Sequence, residues 1–309
     1  MKRIIDTLEN TINKSTTIEL RAFLEQHKDI RKWMIISDYC FYDNHRNNNC
    51  ISFILYPYII DLATIQDEIK QRAKVDLKHT RSINDSFCEM YKLGIFYSIN
   101  FIVDDDNFFS KEHNVDIYQK MICTYKALLE KWITNQPHKK ENYENIIKKF
   151  NKFLNETKRK NFNLKLFKEI FWVDILVSYI TYLIIKELDV ELIGWFSDPD
   201  KIISSYDGIA FDLYEIIYHT LCVEQLGENY KQPKIAYTKI EKDIFYDELV
   251  RMADYICGFV SEFDLNSKTK GYKEKYVKIA EDIVADNKYI SIIKIDNNGI
   301  SKVVHSRIK

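Results

Sequence analysis

Stretches that are apolar on both faces alternate along the chain with amphipathic stretches of helical spacing. The first, WMIISDYCF at 33–41, is typical of a central strand in a sheet that is covered on both sides. A second, CISFILYPY at 50–58, follows after a polar loop, and the two runs are natural neighbours in one sheet. Further strands are predicted at 95–103, 190–197 and 234–240. Helical spacing between them predicts a layered α/β fold.

A change of composition at His138 suggests how the chain is organised. Residues 138–160 are polar and net basic, with apolar positions at helical spacing, and an apolar helix is predicted near 163–187. The basic face of this segment either approaches a phosphate backbone or is the solvated face of a helical hairpin. The predicted organisation is an N-terminal helical segment at 1–30, an α/β core at 31–137 and 189–265, a helical insertion at 138–188, and a C-terminal helix and β-hairpin at 266–309.

Charge and composition narrow the class of protein. The net charge is −1, so no global basicity indicates a nucleic-acid coat or an anionic membrane surface. The apolar stretch 170–185 is short for a bilayer span and contains Asp174, which predicts a buried core helix and no membrane association. None of the six cysteines forms a C-x-x-C pair, and no signal peptide is visible, so free thiols and a cytoplasmic location are expected.

Common sequence motifs of catalysis are absent, and carboxylates at unusual positions remain. There is no phosphate loop, dinucleotide-binding turn, zinc helix or nucleophile elbow. Asp38 interrupts the first core strand, and Asp198 and Asp200 end a later strand. Asp254 interrupts the apolar side of the predicted helix LVRMADYICGFVSEF, residues 249–263. Burying an unpaired carboxylate costs several kcal/mol, so these acids call for a common explanation.

A shared divalent cation would explain them together. Mg²⁺ and Mn²⁺ are hard ions that prefer oxygen ligands, and a pair of such ions about 4 Å apart promotes phosphodiester hydrolysis. Each acid also has a plainer interpretation. Asp254 could form an i−3 ion pair with Arg251, and Asp38 could hydrogen-bond to the adjacent loop. Asp198 and Asp200 could each be a turn or cap residue beside Pro199, and either of them could be the metal ligand.

The order of these elements resembles the ribonuclease H-like superfamily, with an Asp on the first strand, an acid ending a later strand and an Asp on a closing helix. More narrowly, the chain resembles the bacterial "domain of unknown function 3800" proteins. The resemblance rests on MADYICGF at 252–259, IISDYC at 35–40, VDLKHT at 75–80 and LIGWFSDPDK at 192–201. It departs at Tyr39 and Cys40, where the family has Glu and then Ser or Thr, and at Cys257, where it has Ala.

The resemblance implies an α/β fold with a ribonuclease H-like mixed sheet, flanking helices and the helical insertion. It also implies a metal site of Asp38, Asp198 or Asp200, and Asp254, with Mg²⁺ or Mn²⁺ as cofactor. His79, at the end of a short predicted strand at 74–80, would lie nearby. Lys78 and Lys201 are candidates to bind nucleic-acid phosphates.

The expected function is divalent-metal-dependent hydrolysis of a nucleic-acid phosphodiester, with Asp38, Asp198, Asp254 and His79 as catalytic residues. The alternative is a catalytically degenerate ribonuclease H-like module that binds a protein or nucleic-acid partner, for example in phage defence or a mobile element. The departures at Tyr39 and Cys40 favour that alternative. No feature of the sequence specifies an oligomeric state.

Overall fold

A seven-stranded mixed sheet runs through the centre of the molecule. The computed structural model describes residues 5–9, 17–104, 115–237, 245–264, 272–296 and 299–303. The strands are β1 Lys32–Cys40, β2 Cys50–Pro57, β3 Tyr97–Val103, β4 Leu192–Ser197, β5 Lys234–Tyr237, β6 Ile290–Asp296 and β7 Gly299–Val303. Their order is β5-β4-β1-β2-β3-β6-β7. The β1–β4, β4–β5 and β3–β6 pairs are parallel, and the other three pairs are antiparallel.

Helices cover both faces of the sheet, so the α/β prediction is confirmed. They are α1 Thr17–Gln26, α2 Leu62–Arg72, α3 Asp85–Met90, α4 Val115–Asn135, α5 Lys140–Glu156, α6 Leu164–Glu187, α7 Lys201–Leu226, α8 Asp247–Glu262 and α9 Glu274–Lys278. Alternate residues of each strand point to opposite faces. Trp33 and Ile35 therefore join one hydrophobic cluster, with α1 and α4 to α7, while Met34 and Ile36 join a second one with α2, α3, α8 and α9.

The predicted helical insertion is helical, and its side chains share the core of the sheet. Helix α6 contains the apolar stretch 170–185, whose members through Ile184 are buried in the same cluster as Trp33. Asp174 is fully buried there, and no described group hydrogen-bonds to its carboxyl oxygens. Within the described residues, no helix is long and apolar enough to cross a membrane. The division into core and insertion stays a prediction.

Two further predictions for the chain ends are confirmed. Helices are present at residues 5–9 and at Thr17–Gln26 within the N-terminal segment. At the other end, β6 and β7 form the predicted antiparallel pair, in which Asp296 is the partner of Gly299; residues 297 and 298 lie outside the described residues. This pair of strands extends the central sheet beyond β3, because β6 pairs with β3. All six cysteines are free thiols, although Cys123 is exposed rather than buried.

The strand predicted at 74–80 is wrong. Residues Leu77–His79 form a short 3-10 turn instead, preceded by extended residues that pair with no strand. The backbone groups of this segment are satisfied by side chains of α8. The Arg251 guanidinium donates to the Ala73 carbonyl at 2.8 Å, and the Tyr255 hydroxyl donates to the Val75 carbonyl at 2.9 Å. An apolar alternation cannot reveal partners of this kind, because they come from a distant helix.

Candidate metal centre

The register of β1 and β4 brings the first two acids together. These strands are parallel, and Ser37 pairs with Ser197 at the last shared position. Asp38 directly follows Ser37, and Asp198 directly follows Ser197, so both acids lie at the carboxyl edge of the sheet. They follow Ile36 and Phe196 by two residues and therefore face the side of the sheet that α8 covers. Ligand sites in α/β sheets lie commonly at this edge.

Helix α8 brings the third acid over the same edge. It packs on β1 and β2 through Leu249, Met252 and Ile256, all of which are fully buried. Asp254 lies on the flank of this helix and keeps partial exposure. Gly258, one turn further on, permits close packing, because a Cβ at this position would lie 2.5 Å from the Leu77 side chain. The helix and the Leu77 turn thus form one wall of a cleft.

The three acids line a single cavity of about 250 Å³. Its walls come from the end of β1, the residue after β4, the Leu77 turn and helix α8. The lining residues are Asp38, Tyr39, Cys40, Arg46, Asp76, Leu77, Lys78, Asp198, Asp247, Val250, Arg251, Asp254, Gly258 and Ser261. The convergence of acids distant in sequence, which the metal hypothesis requires, is therefore present.

Asp38 is the most perturbed of the three acids. Burial raises its pKa well above the usual range, and the negative charges of Asp254 and Asp198 raise it further. Hydrogen bonds from the Tyr39 backbone and the Cys257 thiol oppose this shift. The three carboxylates therefore repel one another across the cavity. A bound cation would cancel this repulsion.

Asp198 lies at the mouth of the cavity. Partial burial raises its pKa to about 6, and the carboxylates of Asp247, Asp200, Asp76 and Asp254 contribute in that order. Because its side chain is exposed there, water reduces the effect of burial. Burial is still the largest cause of the shift, and crowding by like charges adds to it. Such crowding is typical of a site that binds a positive ligand.

Asp254 is not neutralised by Arg251, contrary to the simplest interpretation of the sequence. Arg251 pairs instead with Asp76 and Asp247, at 3.4 Å in each case. Burial raises the Asp254 pKa, and the Asp76 charge adds to this rise. The Leu77 backbone bond and the charges of Lys78 and Arg251 oppose it. One carboxylate oxygen, Oδ2, accepts a hydrogen bond from the Leu77 N–H at 2.7 Å, so Asp254 also holds the turn in place.

A pair of substitutions separates the charge of Asp254 from this hydrogen bond. Asp254→Asn and Asp254→Ala both remove the negative charge, but only Asn keeps an oxygen that accepts from the Leu77 N–H. Without metal, we expect Ala to be less stable than Asn by about 1–3 kcal/mol, the cost of leaving a buried donor unpaired. Urea unfolding of the two variants measures this difference. Equal midpoints and slopes would mean that the hydrogen bond contributes nothing to stability.

The other predicted site residues are not all brought to the cavity. Asp200 is the N-cap of α7, where its side chain accepts from the Ile203 N–H at 3.0 Å. Lys201, in the first turn of that helix, is exposed and does not line the cavity. His79 is exposed on the 3-10 turn and also lies outside the lining residues. Lys78 does line the cavity, with an exposed side chain.

Sequence reasoning missed several residues that line the cavity. Asp247 lies seven residues before Asp254, so helical periodicity places both on one face of α8, with Arg251 between them. That spacing is a signal that was available in the sequence. Asp76 and Arg46 carried no such signal, because they lie in the extended segment before the Leu77 turn and in a polar loop. Arg46 is tied to Glu262 at 2.7 Å and to the Tyr276 hydroxyl at 2.8 Å.

The fit of the site to a metal ion rests on its donors. Carboxylate oxygens are the ligands that Mg²⁺ and Mn²⁺ prefer, and here they come from three rigid elements. As the side chains stand, no group of three or more His, Cys, Asp or Glu residues in the described part of the chain is spaced to hold an ion. Carboxylates that repel one another separate until a cation draws them together, so side-chain rotation is part of the hypothesis.

Comparison with known proteins gives no assignment. No family model, no curated protein and no solved structure shows a significant match to this chain. The geometry of the site therefore carries the functional argument.

Proposed function

We propose that this protein is a divalent-metal-dependent nuclease with a ribonuclease H-like core. The observation that carries the proposal is the convergence of Asp38, Asp198 and Asp254, from three separate elements, on one cavity at the carboxyl edge of the sheet. The arrangement of β1 to β5 supports it. Three antiparallel strands β3-β2-β1 continue into two parallel strands β4-β5 on the other side of β1, a mixed sheet as the resemblance leads one to expect.

The proposed roles follow from the positions of the side chains. Asp38, Asp198 and Asp254 would hold one or two Mg²⁺ or Mn²⁺ ions, which would neutralise charge on the phosphodiester and promote attack by water. Lys78, exposed on the cavity wall, would pair with a substrate phosphate. Arg46 is less available, since Glu262 and Tyr276 already engage it. His79 is not assigned a role, because it lies outside the cavity lining.

A metal titration and a cleavage assay test this proposal together. Calorimetry with Mn²⁺ should detect binding by the wild-type chain and loss of that binding in Asp38→Asn. Labelled RNA and DNA, single-stranded and duplex, should be cut with Mn²⁺ or Mg²⁺ and left intact with EDTA. Binding without cleavage would remove the enzymatic part of the proposal, and absence of binding would remove the metal site as well.

The alternative, a non-catalytic module of the same fold, has one specific observation in its favour. Asp254 already has a structural hydrogen-bonding role at the Leu77 turn, so its carboxylate does not require a cation to explain it. In that case Asp38 would be held neutral by its environment, in line with its raised pKa. The calorimetric result decides between the two, because this module would bind no Mn²⁺ at the site.

A further inference from the structure

The turn between α5 and α6 presents lysines that have no acidic partner among the described residues. Lys158, Lys160 and Lys165 are exposed, and none of them lies within ion-pair distance of a described carboxylate. The lysines of the preceding helix differ in this respect. Lys149 pairs with Asp212 at 2.8 Å, and Lys152 pairs with Asp207 at 2.7 Å. The basic character predicted for residues 138–160 is therefore largely neutralised along α5 and persists at the turn after it.

Aromatic packing fixes the shape of this turn. Phe162 contacts Phe153 of α5 and Phe167 of α6, with ring centroids 5.7 and 6.5 Å apart. Backbone bonds from Lys158 to Asn155 and from Phe162 to Arg159 close it further. The lysines consequently project from a rigid base, so less entropy is lost when they bind a ligand than for side chains on a flexible loop.

The same turn lies beside the carboxyl end of β1, which borders the cavity. The Lys165 ammonium lies 3.8 Å from the ring centroid of Tyr42, a cation–π contact. Tyr42 follows Cys40 by two residues, and Cys40 both ends β1 and lines the cavity. Tyr42 comes just after the end of β1, so Lys165 lies at the carboxyl edge of the sheet, which also carries the cavity. Helices α5 and α6 cover the face of the sheet opposite to α8. Phe41 and Tyr42 are partly exposed, with ring centroids 6.2 Å apart.

We propose that Lys158, Lys160 and Lys165, together with Phe41 and Tyr42, form a binding surface for a single-stranded nucleic acid at the edge of the sheet that carries the cavity. This surface would guide the substrate of the proposed nuclease, so the inference rests on that proposed function. Lysines supply the sequence-independent attraction for phosphates, and aromatic rings beside them are typical of single-strand binding sites. The acidic cavity alone would repel a polyanion, so a nearby cationic surface is needed to hold one.

Fluorescence anisotropy with a labelled single-stranded oligonucleotide in EDTA tests the surface independently of metal and cleavage. The triple variant Lys158→Ala, Lys160→Ala, Lys165→Ala should bind at least about tenfold more weakly at low salt. The slope of log affinity against log salt concentration should be less negative by roughly 2, because each lost phosphate contact accounts for about 0.7. The corresponding triple Arg variant should retain binding, because the charge is preserved.

A matched control uses three lysines at the opposite edge of the sheet. Lys28, Lys32 and Lys234 are exposed and lie at or near the amino ends of β1 and β5, away from Asp38. Their triple Ala variant should bind like the wild type. Equal losses in both triple variants, or none in either, would overturn the proposal. Because no metal is present, a failure of the nuclease proposal leaves this result unaffected.

Discussion

Asp198→Asn is expected to lower metal-dependent hydrolysis by about a thousandfold or more, whereas Asp200→Asn should leave the rate nearly unchanged. The two acids are separated only by Pro199, but the structure gives them different surroundings. Asp198 lies in the cavity beside Asp38, and Asp200 caps helix α7. A metal ligand supplies several kcal/mol of charge stabilisation, and each 1.36 kcal/mol is tenfold in rate.

The comparison is well matched, because both variants replace a carboxylate with an amide of the same size. Asn caps a helix about as well as Asp, so Asp200→Asn should keep the bond to the Ile203 N–H and the stability of α7. The rate of cleavage of labelled substrate at saturating Mn²⁺ is the measurement. If Asp200→Asn lost activity and Asp198→Asn kept it, the assignment of the ligand would be reversed. If both variants kept full activity, the proposed site would be wrong.

Asp38→Asn is expected to change stability in opposite directions with and without metal. In the absence of metal, the wild-type chain holds Asp38 against two other carboxylates, so the neutral variant should be more stable at pH 7. With Mn²⁺ at a hundred times its dissociation constant, the wild type should gain about 2.7 kcal/mol, and the variant should gain little. Denaturant unfolding under the two conditions measures both effects.

The pH dependence of the metal-free protein follows from the same pKa shifts. Because the pKa values of Asp38, Asp198 and Asp254 are raised by folding, the folded state retains protons that the unfolded chain has released. The contribution of these three acids to stability is therefore greatest below the unfolded carboxyl pKa of about 4 and declines as pH rises towards the folded values. For Asp198 that interval extends to about 6. Asp38→Asn should make this decline shallower.

Asp174 offers a control for general effects of removing a buried acid. Burial raises its pKa well above the usual range, and it lies in α6 on the other face of the sheet. Asp174→Asn should also flatten the pH dependence, but it should keep the full gain from Mn²⁺. A loss of that gain in Asp174→Asn would mean that the Mn²⁺ effect does not report on the cavity.

The hydrophobic pattern was sufficient to predict the layers of this protein. Runs apolar on both faces became β1 and β2, because strands covered by helices on both sides bury successive residues, from Trp33 to Ser37 in β1 and throughout β2. Helical spacing predicted α8, and the acid on its apolar side identified Asp254 as unusual. In the same way, an acid within the apolar run of β1 identified Asp38 as unusual. These features are local, so a single sequence displays them.

The partners of these acids depended on the tertiary structure. The β1–β4 register and the start of α7 decide whether Asp198 or Asp200 lies near Asp38. Neither feature can be predicted from the local pattern of hydrophobic and polar residues. The ion pairs of Arg251 with Asp76 and Asp247, and the turn at Leu77, depend on how α8 lies across the segment at 73–80. The sequence by itself determined which residues must be buried and where charge was out of place. Only the fold decided which charges meet, because long-range register and helix placement are properties of packing between distant segments.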